Sequence, residues 1–343
     1  MNLQSDRQSG FTLIEATIAA VLVSVLAYLV MTMSKTGFDA QNYSQRMSRV
    51  TEIAQEMIEE IRDDAQSSVH LFGADATGQA YVTILDTTGL PSVIAGSRLP
   101  QIVDGGVFEV DGAADVRTGN SLALARHAWA DEFQATSGDD YRIDVYRIVY
   151  YYMTEVDGGP QDGQAYGLNV VQWISEPVAN GNQIDNIDDP TDRAEVCEHL
   201  RVASADAFGN THTPVQAIWK IGDDPAATGT FRQIISGGSL VDAPQSPRAT
   251  GSWKVYPDLT RSRVGMLHYR FHSLATNFAP PICGVAKYGY QTTTGSGFPH
   301  GFETQIVGPS SARKILLHVS VVSTHTGRLA WHDSQTITDA RDL

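Results

Sequence analysis

The chain has 343 residues, 42% of them hydrophobic and 18% charged, with a formal net charge of −15. Beside a membrane segment, that length leaves one large soluble domain or two small ones, with a core that needs neither metals nor many disulfides. The acidic balance argues against nucleic-acid binding, which needs a basic stripe to displace counterions, and against adhesion to anionic lipid headgroups.

From Phe11 to Met33 the chain is apolar or small-polar except for Glu15. As a helix this run spans about 30 Å, the thickness of a bilayer's hydrocarbon core. A cleaved secretory signal would have a shorter apolar region and a small-residue cleavage site. Here an amphipathic pattern follows instead, so the segment reads as retained. The short polar leader before it places the N-terminus in the cytoplasm, with weak support from Arg7. A carboxylate at the centre of such a helix costs about 3 kcal/mol, less towards the interface, and asks for a partner. The segment contains no Lys, Arg or His. A partner for Glu15 is therefore expected from outside it, either a neighbouring chain or a charge created by processing.

Past Gly37 the apolar residues Met47, Val50, Ile53 or Ala54, Met57, Ile58 and Ile61 recur at helical steps. Glu52, Glu56, Glu59 and Glu60 fall on the opposite face. A near-continuous helix from Phe11 to Ala65, about 80 Å long, is predicted, with Gly37 as a point of bending or loosening.

After Ser68 the composition turns to glycine, threonine and β-branched residues. "YVTILDTTG", "YRIDVYRIVYYYM", "LNVVQWIS", "PVQAIWKI", "TFRQIIS" and "VGMLHYRFHSLA" read as strands between Gly, Pro, Asn and Asp turns. "KILLHVSVVSTHTGRLAWHDSQTI" reads as a hairpin turning at Thr326-Gly327. The segments Asp157–Gln164 and Asn180–Asp192 read as long surface loops. The fold class is α+β: a long N-terminal helix followed by a mainly antiparallel β domain.

Candidate chemistry is sparse. Asp185, Asp188, Asp189 and Asp192 crowd one acidic loop, and clustered oxygen ligands suit Ca²⁺, although the spacing is not that of an EF-hand. The alternative is a solvated loop in which Asp189 or Thr191 caps a short helix before Cys197. Cys197 and Cys283 lack metal-ligand spacing. They form one bridge if the domain is exported, or remain two buried thiols if it is cytosolic. His268 and His272 share a strand face without a third ligand, and His318, His325 and His332 read as surface or half-buried residues of the last hairpin. Tyr150, Tyr151 and Tyr152 read as packing on both faces of a sheet. No G-x-S-x-G elbow, phosphate loop or H-E-x-x-H motif occurs, and no enzymatic activity is indicated.

The stretch "GFTLIEATIAAVLV" resembles the class III signal of type IV pilins and type II secretion pseudopilins. The resemblance implies cleavage after Gly10 by a prepilin peptidase and N-methylation of the new terminus, Phe11. It implies that Glu15 is the assembly residue, whose carboxylate meets the N-terminal amine of an adjacent subunit. The implied organisation is a leader at 1–10, a transmembrane and filament-core helix at 11–33 and its amphipathic continuation at 34–66. A β-rich domain outside the cytoplasm, at 67–343, completes it. Implied partners are the peptidase, other major and minor subunits and the inner membrane. No cofactor is implied beyond Ca²⁺ in the acidic loop, which some pseudopilins carry. The bulky domain and the proline-free membrane segment resemble the PilW-type minor pilins and J-type pseudopilins rather than a major subunit. The alternative function is an anchored or pilus-borne β-rich adhesin.

Overall fold

A computed structural model of the chain describes residues 12–85, 92–94, 96–108, 117–155, 168–202, 213–242, 254–256, 272–274, 301–325 and 328–342. The helix α1 runs from Leu13 to Gln66, 54 residues, and is helical through Gly37. The chain divides into two compact units, Met1–Arg49 and Val50–Leu343, with the boundary inside α1.

In the first unit every residue from Thr12 to Met33 is exposed, including Leu13, Val23, Leu26 and Val30. The most apolar 18-residue window of α1 has a mean hydropathy of 2.3. Its hydroxyls are spent locally: Thr17, Ser24 and Thr32 donate to carbonyls one turn back, Leu13, Ala20 and Tyr28 respectively. Such back-bonding hides polar groups from an apolar surrounding.

The second unit begins with the last turns of α1 and continues into β1 (Ser68–Phe72), α2 (Ala76–Ile84), β2 (Ile102–Val103), β3 (Leu122–Gln134) and β4 (Asp140–Glu155). Next come β5 (Leu168–Ile174), β6 (Val178–Asn180), α3 (Gly181–Asp185), α4 (Pro190–Arg201), β7 (Ala217–Trp219), β8 (Phe231–Ile234) and β9 (Leu240–Asp242). The chain closes with β10 (Lys254–Tyr256), β11 (His272–Leu274), β12 (Phe302–Val307), β13 (Arg313–His325) and β14 (Arg328–Ala340). Among the described residues these strands form one 14-stranded sheet in the order β2-β12-β13-β11-β5-β4-β6-β7-β8-β9. Off that path, β3 lies on β4, β1 on β3, β14 on β13 and β10 on β5. Pairing is antiparallel except for β2–β12 and β6–β7.

The sheet is buried on both faces around β4. Val145, Val149, Tyr151 and Met153 point one way, and Tyr146, Ile148, Tyr150 and Tyr152 the other, all buried. The even-numbered face joins Phe72, Tyr81, Trp173, Trp219 and Phe231 in one apolar cluster. On the odd-numbered face Val145 joins the cluster beside α4, while the Tyr151 hydroxyl reaches Asp64 of α1, whose stripe Val50, Ile53, Ala54, Met57, Ile58, Ile61 and Ala65 is buried. One carboxylate fastens α1 there. Asp64, buried, accepts from Arg126 Nη1 at 2.5 Å, from the Tyr151 hydroxyl at 2.6 Å and from Gln172 Nε2 at 3.0 Å. The helix is thus bonded to β3, β4 and β5 through a single side chain. Burial is the largest influence on Asp64 and pushes its carboxyl above the ordinary value, against the opposing pull of Arg126.

Three expected elements differ. "YVTILDTTG" alternates like a strand, but Ala76–Ile84 is helical. Asp75 caps that helix by accepting the Gly78 N–H at 2.8 Å, and Tyr81 seats in the aromatic cluster with its hydroxyl on the Asp223 carbonyl. The acidic segment after Asn180 is not an irregular loop: it folds into α3 and the start of α4. His318 is not half-exposed; it is fully buried on β13 between Glu303 of β12 and Asp333 of β14. The last hairpin matches expectation, with His325 opposite Arg328 leaving only Thr326-Gly327 between them. The segment Asp157–Gln164, the turn residues themselves and most of "VGMLHYRFHSLA" lie outside the described residues.

Candidate anchoring and assembly site

The site is built where α1 begins. Thr12 occupies the N-cap position and Glu15 the third helical position, which is the spacing of a capping box. The Thr12 backbone N–H donates to Glu15 Oε2 at 3.0 Å and the Thr12 hydroxyl donates to the same oxygen at 2.9 Å. In return the Glu15 N–H donates to Thr12 Oγ1 at 3.3 Å. Besides the charged partner expected from outside the segment, Glu15 thus has hydrogen-bond partners of its own: three bonds tie it to a residue three positions away. The signal was present in "TLIE", a threonine followed three residues later by glutamate ahead of an apolar run. A carboxylate in the first turn also faces the positive end of the helix dipole. Gly10 and Phe11 lie outside the described residues.

The acidic loop is dispersed among structural duties. Asp185 pairs with Lys220 at 2.7 Å and Arg232 at 2.8 Å. Asp189 caps α4 by accepting the Thr191 N–H at 2.7 Å, as the alternative reading of the loop anticipates. Asp192, buried, accepts from the Ser137 hydroxyl at 2.7 Å and the Tyr141 hydroxyl at 2.8 Å, and that bond pushes the Tyr141 phenol up to about 12. Glu195 accepts the Thr136 N–H at 2.8 Å. These bonds stitch the β3–β4 turn to α4, while Asp188 is exposed. Among the described residues no group of three or more His, Cys, Asp or Glu is placed to hold a metal ion.

Cys197 lies fully buried on α4 beside Ile143, Val145 and Leu200; it is unbridged among the described residues, and burial pushes its thiol up to about 11. Cys283 and His268 lie outside the described residues. The three consecutive tyrosines pack as read. Tyr151 points to α1, and Tyr150 and Tyr152 stack on the other face with ring centres 5.0 Å apart. His318, like Asp64, is a buried titratable group that sequence reading missed. Its neighbours come from two other strands, so no local pattern marks it.

An apolar helix long enough to cross a membrane, with a capped carboxylate at its start and a β-rich domain after it, gives an α+β protein whose layout fits a membrane anchor. Residues 5–30 match the family model described as the prokaryotic N-terminal methylation motif, in agreement with the resemblance to type IV pilins and pseudopilins. The motif indicates a structural subunit, and implies processing by a prepilin peptidase and assembly with other subunits of that kind. No curated protein and no solved structure matches the chain.

Proposed function

We propose that this chain is a minor subunit of a type IV pilus or type II secretion filament, acting in priming or at the tip. The peptidase cuts after Gly10 and methylates Phe11. The helix then rests in the inner membrane with the β-rich domain outside the cytoplasm, until Glu15 pairs with the terminal amine of a neighbour. The methylation motif over residues 5–30 carries this reading. The exposed apolar helix supports the filament role, and the absence of a proline from it supports a minor rather than a major subunit. The bulk of the domain that begins at Val50 supports a minor rather than a densely repeated subunit.

The test has two arms. Mass spectrometry of the mature protein should show N-methylated Phe11 as the terminus; an intact Met1 in cells with active peptidase refutes the assignment. Glu15→Ala should insert into the membrane normally yet fail to enter filaments, and normal entry removes the pairing role.

A further inference from the structure

His318 of β13 is fully buried between Glu303 of β12 and Asp333 of β14. Its Nδ1 lies 2.5 Å from Glu303 Oε2, and its Nε2 is bonded to Asp333 Oδ1. Among the described residues these two carboxylates are the charged groups that face the imidazole. A neutral imidazole has one N–H and one lone pair, so it donates to only one of them. The other contact then sets a ring lone pair against a carboxylate lone pair, with no water to separate them. Two hydrogen bonds across the cluster therefore need two protons, whether both sit on the ring or one sits on a carboxyl oxygen.

The second proton matters most for β14. Among the described residues β12 pairs with β2 as well as β13, whereas β14 pairs with β13 alone. The far end of β14 is tied independently. The Ser68 hydroxyl donates to the Arg341 carbonyl at 2.8 Å, and Asp342 accepts from the Leu71 N–H and from Arg313 Nε, each at 3.2 Å. Asp342 also meets His70 at 3.0 Å, but the amide and the permanently charged arginine hold it without that ring's proton.

We propose that Glu303, His318 and Asp333 form a proton-operated clamp on β14, which holds the strand while the cluster keeps both protons and loosens it when one is lost. The lost proton passes to water or hydroxide. One hydrogen bond becomes a contact between two lone pairs, and the buried cluster gains a negative charge. β14 gives way rather than β12, and its tied end confines the loosening to the stretch around Asp333. Burial disfavours the charged ring, but the bonds to Asp333 and Glu303 raise it to about 9, so the clamp is closed at neutral pH and opens on the alkaline side. Opening bares the edge of β13 that β14 covers. The device stands independently of the filament reading.

Hydrogen exchange of the full-length chain in detergent micelles, read by mass spectrometry and corrected for the intrinsic pH dependence of exchange, compares β14 with β4 and β5. Between pH 7 and pH 10 the protection of β14 should fall about tenfold, the scale of one unpaired buried group, with β4 and β5 unchanged. Asp333→Asn separates the clamp from ordinary packing. Its amide N–H donates to the ring lone pair, so one ring proton suffices, and β14 protection should change by less than about twofold over the same range. Glu303→Gln makes the same change from the other strand and should act alike. A β14 whose protection tracks that of β4 and β5 throughout refutes the clamp, whether all three hold or all three fall. So does an Asp333→Asn or Glu303→Gln chain that keeps the parental pH response.

Discussion

Replacing Asp64 by alanine tests what fastens α1 to the sheet. The substitution strips an acceptor from three donors at once: Arg126 Nη1, the Tyr151 hydroxyl and Gln172 Nε2. The effects differ among the three. The Arg126 side chain is 31% exposed and can rehydrate, whereas Tyr151 and Gln172 are fully buried. Removing one partner of a fully buried pair costs about 3–5 kcal/mol, and a stripped buried donor about 1–3 kcal/mol. Rehydration of Arg126 places the expected loss at the lower end, about 3 kcal/mol. Tyr151 and Gln172 both donate to Oδ2, so Asp64→Asn with its oxygen at that position keeps both bonds and loses the charge and the pairing of Oδ1 with Arg126. It also removes the repulsion between Asp64 and Glu60, so its cost should be about 1 kcal/mol. Urea unfolding of the full-length protein in detergent, followed by tryptophan fluorescence, reads both values; at about 2–4 °C per kcal/mol the alanine variant should also melt roughly 6–12 °C lower. Because burial raises the folded-state pKa of Asp64 above its ordinary 3.8, the folded state binds its proton more readily than the unfolded chain does. The parent should therefore gain stability relative to Asp64→Asn as pH falls through the folded pKa towards 3.8. An alanine variant within about 0.5 kcal/mol of the parent, or an asparagine variant as costly as alanine, refutes the fastening role.

Two other sites give sharp expectations. Burial of His318 disfavours its charge, but its bonds to Asp333 and Glu303 outweigh that and raise it to about 9. Its contribution should be complete below pH 6.5, the unfolded value, and vanish as pH rises through 9; a parental stability profile in His318→Gln across that window contradicts the charged triad. Gly237 and Gly238 both have positive φ, 80° and 71°, but a Cβ at Gly237 meets open space whereas one at Gly238 would sit 1.9 Å from the Ala194 carbonyl oxygen. Gly237→Ala should cost about 1 kcal/mol and Gly238→Ala clearly more, since it must move the α4 backbone; equal melting temperatures for the two exclude that contact.

The membrane helix, its amphipathic continuation and the last hairpin were legible because each is encoded by a short period along the chain. Val50 to Ile61 repeats at the helical step, and β13 and β14 repeat at the step of two. Thr12 and Glu15 also carry their pattern locally, although the charge of Glu15 drew attention outward and hid the cap. The segment Ala76–Ile84 shows the limit of such reading. Its alternation suits a strand, but the Asp75 cap and the seat for Tyr81 against Trp219 decide for a helix. Periodicity ranks local conformations whose energies differ by little, and a tertiary contact worth more than that difference overrides it.

What the sequence by itself determined is therefore the anchor, the processing signal and the class of fold, all set by the order of neighbours within a few turns. What only the tertiary structure decided is which buried charges meet. Asp64 finds Arg126, Tyr151 and Gln172 at 62, 87 and 108 residues' separation, and His318 finds Glu303 and Asp333 each 15 residues away on flanking strands. Those meetings depend on strand order and register across the whole sheet, and a one-residue slip would point each side chain at the opposite face. The same long-range packing lets the acidic segment stitch α4 to the β3–β4 turn, because a buried carboxylate such as Asp192 is stable only where donors converge on it.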